Sequence, residues 1–307
     1  MRKLLVALGV VAVGIGASGC TSTPSGTSST TSTSSRTAAP TTTLAAVPVT
    51  GSNNAAAQAM EAALGHGRSR PSLHYVSTSV GNGLTTTIVG DVNQTSGTQT
   101  IVVSYQGSKA SMVIELDGQE AYFRGDAAAI EVLINLTARQ SDAAAGQWVS
   151  VAPADSVYQS TAAALTVGSV MSELALSSPI RGEHNAIDGG RTVTEISGAW
   201  VGDGITAKDH ATGELEVSKG AESLPVAFSG VMPATASAAR FAENLAVSKW
   251  GEPVHVSPPS SAIPLATILK STTTTTVPVV VCVKGQSCRR SVTMPSSEES
   301  PRCAVTC

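Results

Sequence analysis

The sequence predicts an α+β domain built on an antiparallel sheet. Three observations predict it. Between Leu73 and Arg124, five segments rich in Thr, Val and Ile follow one another across short turns such as Gly81-Asn82-Gly83 and Asp117-Gly118. Turns that short join antiparallel neighbours. No stretch of crossover length interrupts them, which excludes a doubly wound parallel sheet. Two amphipathic stretches then precede further strands, and helices inserted into a meander must lay their apolar stripes on one face of it.

Taken in order, Ala56, Met60, Ala63 and Leu64 fall on one face of a first helix, which Gly65 and Gly67 are expected to end. Strands are expected at Leu73–Val80, Leu84–Gln94, Thr98–Gln106, Lys109–Asp117 and Gln119–Arg124. Asp126 reads as the N-cap of a helix running to Arg139, with Ile130, Leu133, Ile134 and Thr137 on one stripe. A further helix is expected from Thr166 to Leu176, carrying Val167, Val170, Met171 and Leu174. Strands resume at Arg191–Trp200, Gly213–Ser218, Leu224–Val231 and Ala246–Val256. Aromatic residues make up only 3% of the chain, so its apolar mass is spread over small side chains that leave more room inside a curved sheet than Leu and Phe would.

The ends of the chain differ from this middle. Arg2 and Lys3 lead into an apolar run and then the small residues Gly14-Ile15-Gly16-Ala17-Ser18-Gly19, the pattern of an export signal. The run from Leu4 to Gly19 falls short of the roughly 20 residues that span a bilayer. Ala17-Ser18-Gly19-Cys20 resembles the bacterial lipobox, which implies that Cys20 becomes the first mature residue and carries acyl chains. The Ser/Thr-rich segment after it cannot bury enough apolar surface to offset its ordering entropy and reads as a tether. The expected organisation is a signal peptide over 1–19, a lipidated Cys and linker over 20–52, a folded domain over 53–260, and a low-complexity linker with a tail over 261–307.

That tail holds Cys282, Cys288, Cys303 and Cys307. Outside the cytoplasm four cysteines usually form two disulfides, with three connectivities open. A zinc site is the lesser alternative, since CxxC spacing is missing, and a tail without structural role is another.

Charge and motif content narrow the function. The 19 basic residues become 17 once Arg2 and Lys3 leave with the signal, against 22 acidic ones, a net of −5. With no basic run in the central region, this argues against nucleic acid as a partner. Gly14 to Gly19 satisfies GxGxxG formally, but it lies in the export signal with no strand before it. No P-loop, GxSxG or HExxH occurs. His66, His74, His184, His210 and His255 never fall at metal-ligand spacing. Asp203, Asp209 and Glu214 sit among Gly and Thr, where carboxylates are usually solvated, and Trp148 and Trp250 read as core or rim anchors. Neither an enzyme nor a cofactor or metal is expected.

Leu116-Asp117-Gly118-Gln119-Glu120-Ala121-Tyr122, Trp148, Asp188-Gly189-Gly190-Arg191-Thr192-Val193 and the ending Ser248-Lys249-Trp250-Gly251-Glu252-Pro253-Val254-His255-Val256 resemble the LprG/LprA/LppX group of actinobacterial lipoproteins. The resemblance implies a strongly curved antiparallel half-barrel with helices over its concave face, enclosing an apolar cavity for the acyl chains of envelope glycolipids or triacylglycerols. The Cys-bearing tail and the Ala-rich stretch after Asp126 depart from it. Val76, Ile101, Val103, Met112, Ile114 and Leu133 are the expected lining, or else part of a closed core. The functional expectation is a lipid-anchored protein on the extracytoplasmic face of the cell membrane that binds acylated lipids and works with a partner such as a membrane transporter. An envelope interaction protein without cargo is the alternative.

Overall fold

The computed structural model describes residues 53–270 apart from 189, 202–204, 206 and 236–238, together with the backbone of 278–280 and 291–293. Cys20 and the four tail cysteines lie outside the described residues. The fold is α+β, a large, open and strongly curved sheet with helices against it. The elements in chain order are α1 (Asn53–Arg68), β1 (Ser72–Gly81), β2 (Leu84–Asn93), β3 (Gly97–Tyr105), β4 (Ser108–Leu116), β5 (Ala121–Gly125), α2 (Ala127–Ile134), α3 (Ala138–Ala144), β6 (Val149–Val151), α4 (Ser156–Ala164), α5 (Val167–Glu173), β7 (Leu176–Asp188), β8 (Arg191–Trp200), β9 (Thr212–Ser218), β10 (Pro225–Met232), β11 (Phe241–Ser248), β12 (Ile263–Pro264) and α6 (Leu265–Lys270). Pro278–Val280 and Ser291–Thr293 form a separate two-stranded antiparallel pair.

The twelve strands run in the order β12-β6-β5-β4-β3-β2-β1-β11-β10-β9-β8-β7. Two meanders, β1 to β6 and β7 to β11, meet where β11 pairs antiparallel with β1. Among the described residues only β12 against β6 is parallel. The hairpins are set by local chemistry. Asn82 and Gly83 have φ of 53° and 75°, and Gln106 and Gly107 have 48° and 84°. Positive φ at both central residues gives the turn whose twist matches that of the flanking strands.

Several helix boundaries differ from expectation, each for a packing reason. α1 runs through Gly65 and Gly67 to Arg68. Gly67 stays inside the helix because α1 packs against α5 there: a Cβ at Gly67 would collide with Met171 Sδ and lie 3.3 Å from Trp250. The stretch 126–139 is two helices. Asp126 caps α2, accepting from the Ala129 N–H at 2.9 Å, but Asn135 turns left-handed at φ 60° and ends it. Thr137 therefore leaves the expected stripe and caps α3 in a reciprocal box with Gln140. Thr166 caps α5 in the same way with Ser169. α5 ends at Glu173, and Leu176 opens β7. β11 ends at Ser248 instead of running to Val256, because Lys249 (φ 50°) and Gly251 (φ 80°) turn the chain and the Gly251 N–H donates to the Ser72 carbonyl at 3.0 Å.

The packed region extends past residue 260. The Ile263 N–H donates to the Trp148 carbonyl at 2.8 Å, and Leu265 and Ile268 are buried. Removing residues 271–307 is expected to leave the melting temperature nearly unchanged. Removing 260–307 strips two buried side chains, each worth about 1.5–3 kcal/mol, and is expected to lower melting by roughly 10 °C. Equal melting curves for the two truncations by circular dichroism would show that β12 and α6 add nothing.

On the inner face of the second meander, register aligns three glycines: Gly198 faces Gly213, which faces Gly230. A Cβ at Gly230 would come within 2.6 Å of the Trp200 ring, and one at Gly213 within 2.6 Å of Leu176 and 2.9 Å of Phe228. The lane is bare so that Trp200 and Leu176 can lie on the sheet. Trp200 meets Phe228 edge-on at 5.6 Å and stacks on Phe241 at 6.0 Å.

Candidate functional site

Five of the six expected lining residues share one buried cluster. Ile101 lies directly opposite Met112, Val103 opposite Ala110, and Ile114 between Gln99 and Phe123. Leu133 comes from α2, which lies against β4 and β5. None of the five is more than 9% exposed. Val76 is placed otherwise. In β1 the buried alternate positions are Leu73, Tyr75, Ser77 and Ser79, with Ser72 also buried at the strand's start, so Val76 is half-buried on the outer face opposite the 40%-exposed Val89. Strand alternation fixes two faces, and Tyr75, the largest side chain, takes the inner one.

The inner face has polar points. The Tyr75 hydroxyl donates to Gln99 Oε1 at 2.7 Å, and burial pushes its pKa well above the ordinary value. Ser77 donates to Glu243 Oε1 at 3.1 Å. Ser79 and Thr86 are also buried. Trp200 is 3% exposed, yet its Nε1–H has no hydrogen-bond partner.

A pocket of about 360 Å³ lies between α1 and the β8–β9 strands, half open to solvent. Ala59 and Ala62 from α1, with Ile196 and Val217 from the sheet, give it an apolar floor. His66, Thr194, Ser218, Lys219 and Ser223 give it a polar rim. Its geometry follows from α1 having two apolar stripes. Ala56, Met60, Ala63 and Leu64 face the core, while Ala59, Ala62 and His66, at i, i+3 and i+7, flank the strands.

The rim is braced by the turn after β9. A carbonyl only accepts, so His66 Nδ1, 2.5 Å from the Glu222 carbonyl, carries the proton. Arg70 pairs with the Glu222 carboxylate at 2.5 Å, and that hydrogen bond holds its pKa below the ordinary value. The volume falls within the range of small-molecule sites, and an apolar floor under a polar, cationic rim suits an amphiphile. Sequence reasoning missed this pocket. The Ala59/Ala62/His66 spacing was legible, but not the strands that meet it.

The other candidates come apart. His74 Nδ1 bonds Asp91 at 2.8 Å on the outer face. Asp203 lies outside the described residues, Asp209 sits on a short 3-10 turn, and Glu214 belongs to β9. Among the described residues no three His, Cys, Asp or Glu side chains are grouped to hold a metal. Arg124 lies 4.9 Å over the Trp148 ring, and Trp250 packs against the core. No helix among the described residues is long and apolar enough to cross a membrane.

Neither a family model nor a curated protein matches the chain. Solved structures similar to it include the following three. Mycobacterium tuberculosis lipoprotein LppX is 15% identical, with 67% of this chain and 100% of that one covered and a TM-score of 0.40. LprF from Mycobacterium bovis is 16% identical, covering 70% and 99%, with a TM-score of 0.43. An uncharacterized conserved protein from Thermus thermophilus is 10% identical, covering 68% and 98%, with a TM-score of 0.33.

Proposed function

We propose that this chain is a lipoprotein anchored through Cys20 to the extracytoplasmic face of the cell membrane, and that it binds acylated lipids or glycolipids and carries them within the cell envelope. The observation that supports this most is the half-open pocket with its apolar floor and polar rim. Acyl tails settle on Ala59, Ala62, Ile196 and Val217 and gain roughly 25 cal/mol for each Å² of apolar surface removed from water, while head groups stay at Lys219, Ser218 and Ser223. Ile196 and Val217 belong to the same buried cluster as Ile101, Val103, Met112, Ile114 and Leu133. Transfer is passive, following the lipid's affinity at each membrane or partner.

Mass spectrometry of organic extracts tests this. The protein purified from a mycobacterial envelope is expected to yield acylated lipid. Ala62→Trp adds bulk at an exposed position of the pocket wall and is expected to reduce that yield several-fold at unchanged circular dichroism. An unaltered protein that yields no lipid sinks the carrier reading.

A further inference from the structure

The strand ends place one set of residues on a common edge. Register pairs Gly81 with Leu84 and Phe241, Met232 with Phe241, Leu84 with Tyr105, and Trp200 with Leu176. The hairpin tips 82–83 and 106–107 and the end of β8 therefore share one end of the sheet. Its inner lip is Tyr105, Leu84, Phe241 and Met232, half-buried apart from Tyr105, which is 41% exposed. Val80 at 50% and Val201 at 39% add exposed apolar surface beside it. Scattered apolar residues on a surface mean little, but a row across neighbouring strands is a patch.

Chain direction singles out the same end. Lys109, Lys208 and Arg240 are exposed there, beside the carboxylates of Asp126 and Asp209. At the far end the acids Asp117, Glu120, Asp188, Glu222 and Glu252 are matched by Arg68, Arg70, Arg191, Lys219 and Lys249 in or beside the turns. α1 reaches that far end at its C-terminus, where His66 and Arg70 bind Glu222. One turn and a half earlier, Met60 Sδ accepts from the Leu176 N–H, at the lip end of β7. Seven residues of helix before Met60 span about 10 Å, so Asn53 emerges at the lip end. The segment leading back to Cys20 thus joins the domain beside the apolar, cationic lip.

We infer that this lip is a second, non-covalent membrane contact that docks on an anionic bilayer surface. The apolar row enters the head-group boundary, and Lys109, Lys208 and Arg240 meet anionic lipid. This orients the hairpin tips 82–83 and 106–107 toward the membrane. The inference uses the Cys20 anchor only for direction, and it stands or falls apart from the cargo.

The test is co-sedimentation of the unacylated mature chain, Thr21 to Cys307, with vesicles of phosphatidylglycerol and phosphatidylethanolamine, or of phosphatidylcholine alone. Binding to the anionic vesicles is expected, weakened by salt. Lys109→Glu and Arg240→Glu are each expected to lower affinity at least about five-fold, whereas Arg191→Glu and Lys249→Glu at the far end are expected to leave it unchanged. Tyr105→Trp, at an exposed position, is expected to give blue-shifted emission on the anionic vesicles. Absence of binding, equal losses from far-end variants, or an unshifted Trp at position 105 would each overturn the inference. A protein that yields lipid cargo but ignores vesicles would refute the lip alone.

Discussion

Trp200→Ala is expected to cost about 3–5 kcal/mol of unfolding free energy, the range for removing a fully buried Trp. The site has little means of collapsing. Gly230 presents bare backbone under the ring, and Phe228 and Phe241 are held by their own strands. Trp200→Phe should cost clearly less than half as much. It keeps most of the apolar volume and removes an N–H that is buried without an acceptor, a group whose desolvation already burdens the native state. Gly230→Ala approaches the same contact from the other side and is expected to lose about 1–3 kcal/mol by overpacking. Combining it with Trp200→Ala should recover part of that loss, a coupling expected only of residues in contact. Denaturant unfolding of the four variants measures all of this. Full additivity would mean that Gly230 is not bare for the sake of Trp200.

The hairpins were legible because their determinants are local: alternation within a strand and positive-φ residues such as Asn82-Gly83 at the turn. What failed was tertiary. Gly67 looked like a helix terminator, but its bare Cα is needed where α1 crosses α5. β7 reads as a polar loop containing Pro179 and Gly182, and it is tolerated as a strand because it lies at the sheet edge, paired on one side with shifts of register at Arg181. Val76 and Tyr75 show that alternation yields two faces without saying which is inward. Placing Trp at Val103 or Met112 would therefore test folding more than cargo: Met112 is 1% exposed, and the backbone of Gly125 crowds it. Ala62, on the pocket wall, separates the two questions.

Cys20→Ala is expected to move nearly all of the protein from the membrane to the soluble fraction. Two or more acyl chains hold a protein stably to a bilayer, whereas a single myristoyl chain already binds only reversibly. Without any acyl chain, the lip has to act alone. Its exposed cations contribute roughly 1 kcal/mol each near an anionic surface, and salt screens that attraction. The variant should therefore show weak, salt-sensitive membrane association at low ionic strength and none after a high-salt wash. The measurement is immunoblotting of washed membrane and soluble fractions, with intact mass of the mature N-terminus as the control for acylation. Membrane retention that survives high salt in the Ala variant would mean that something other than Cys20 anchors the chain. Complete release even at low salt would leave the anchor intact as an idea and count against the lip.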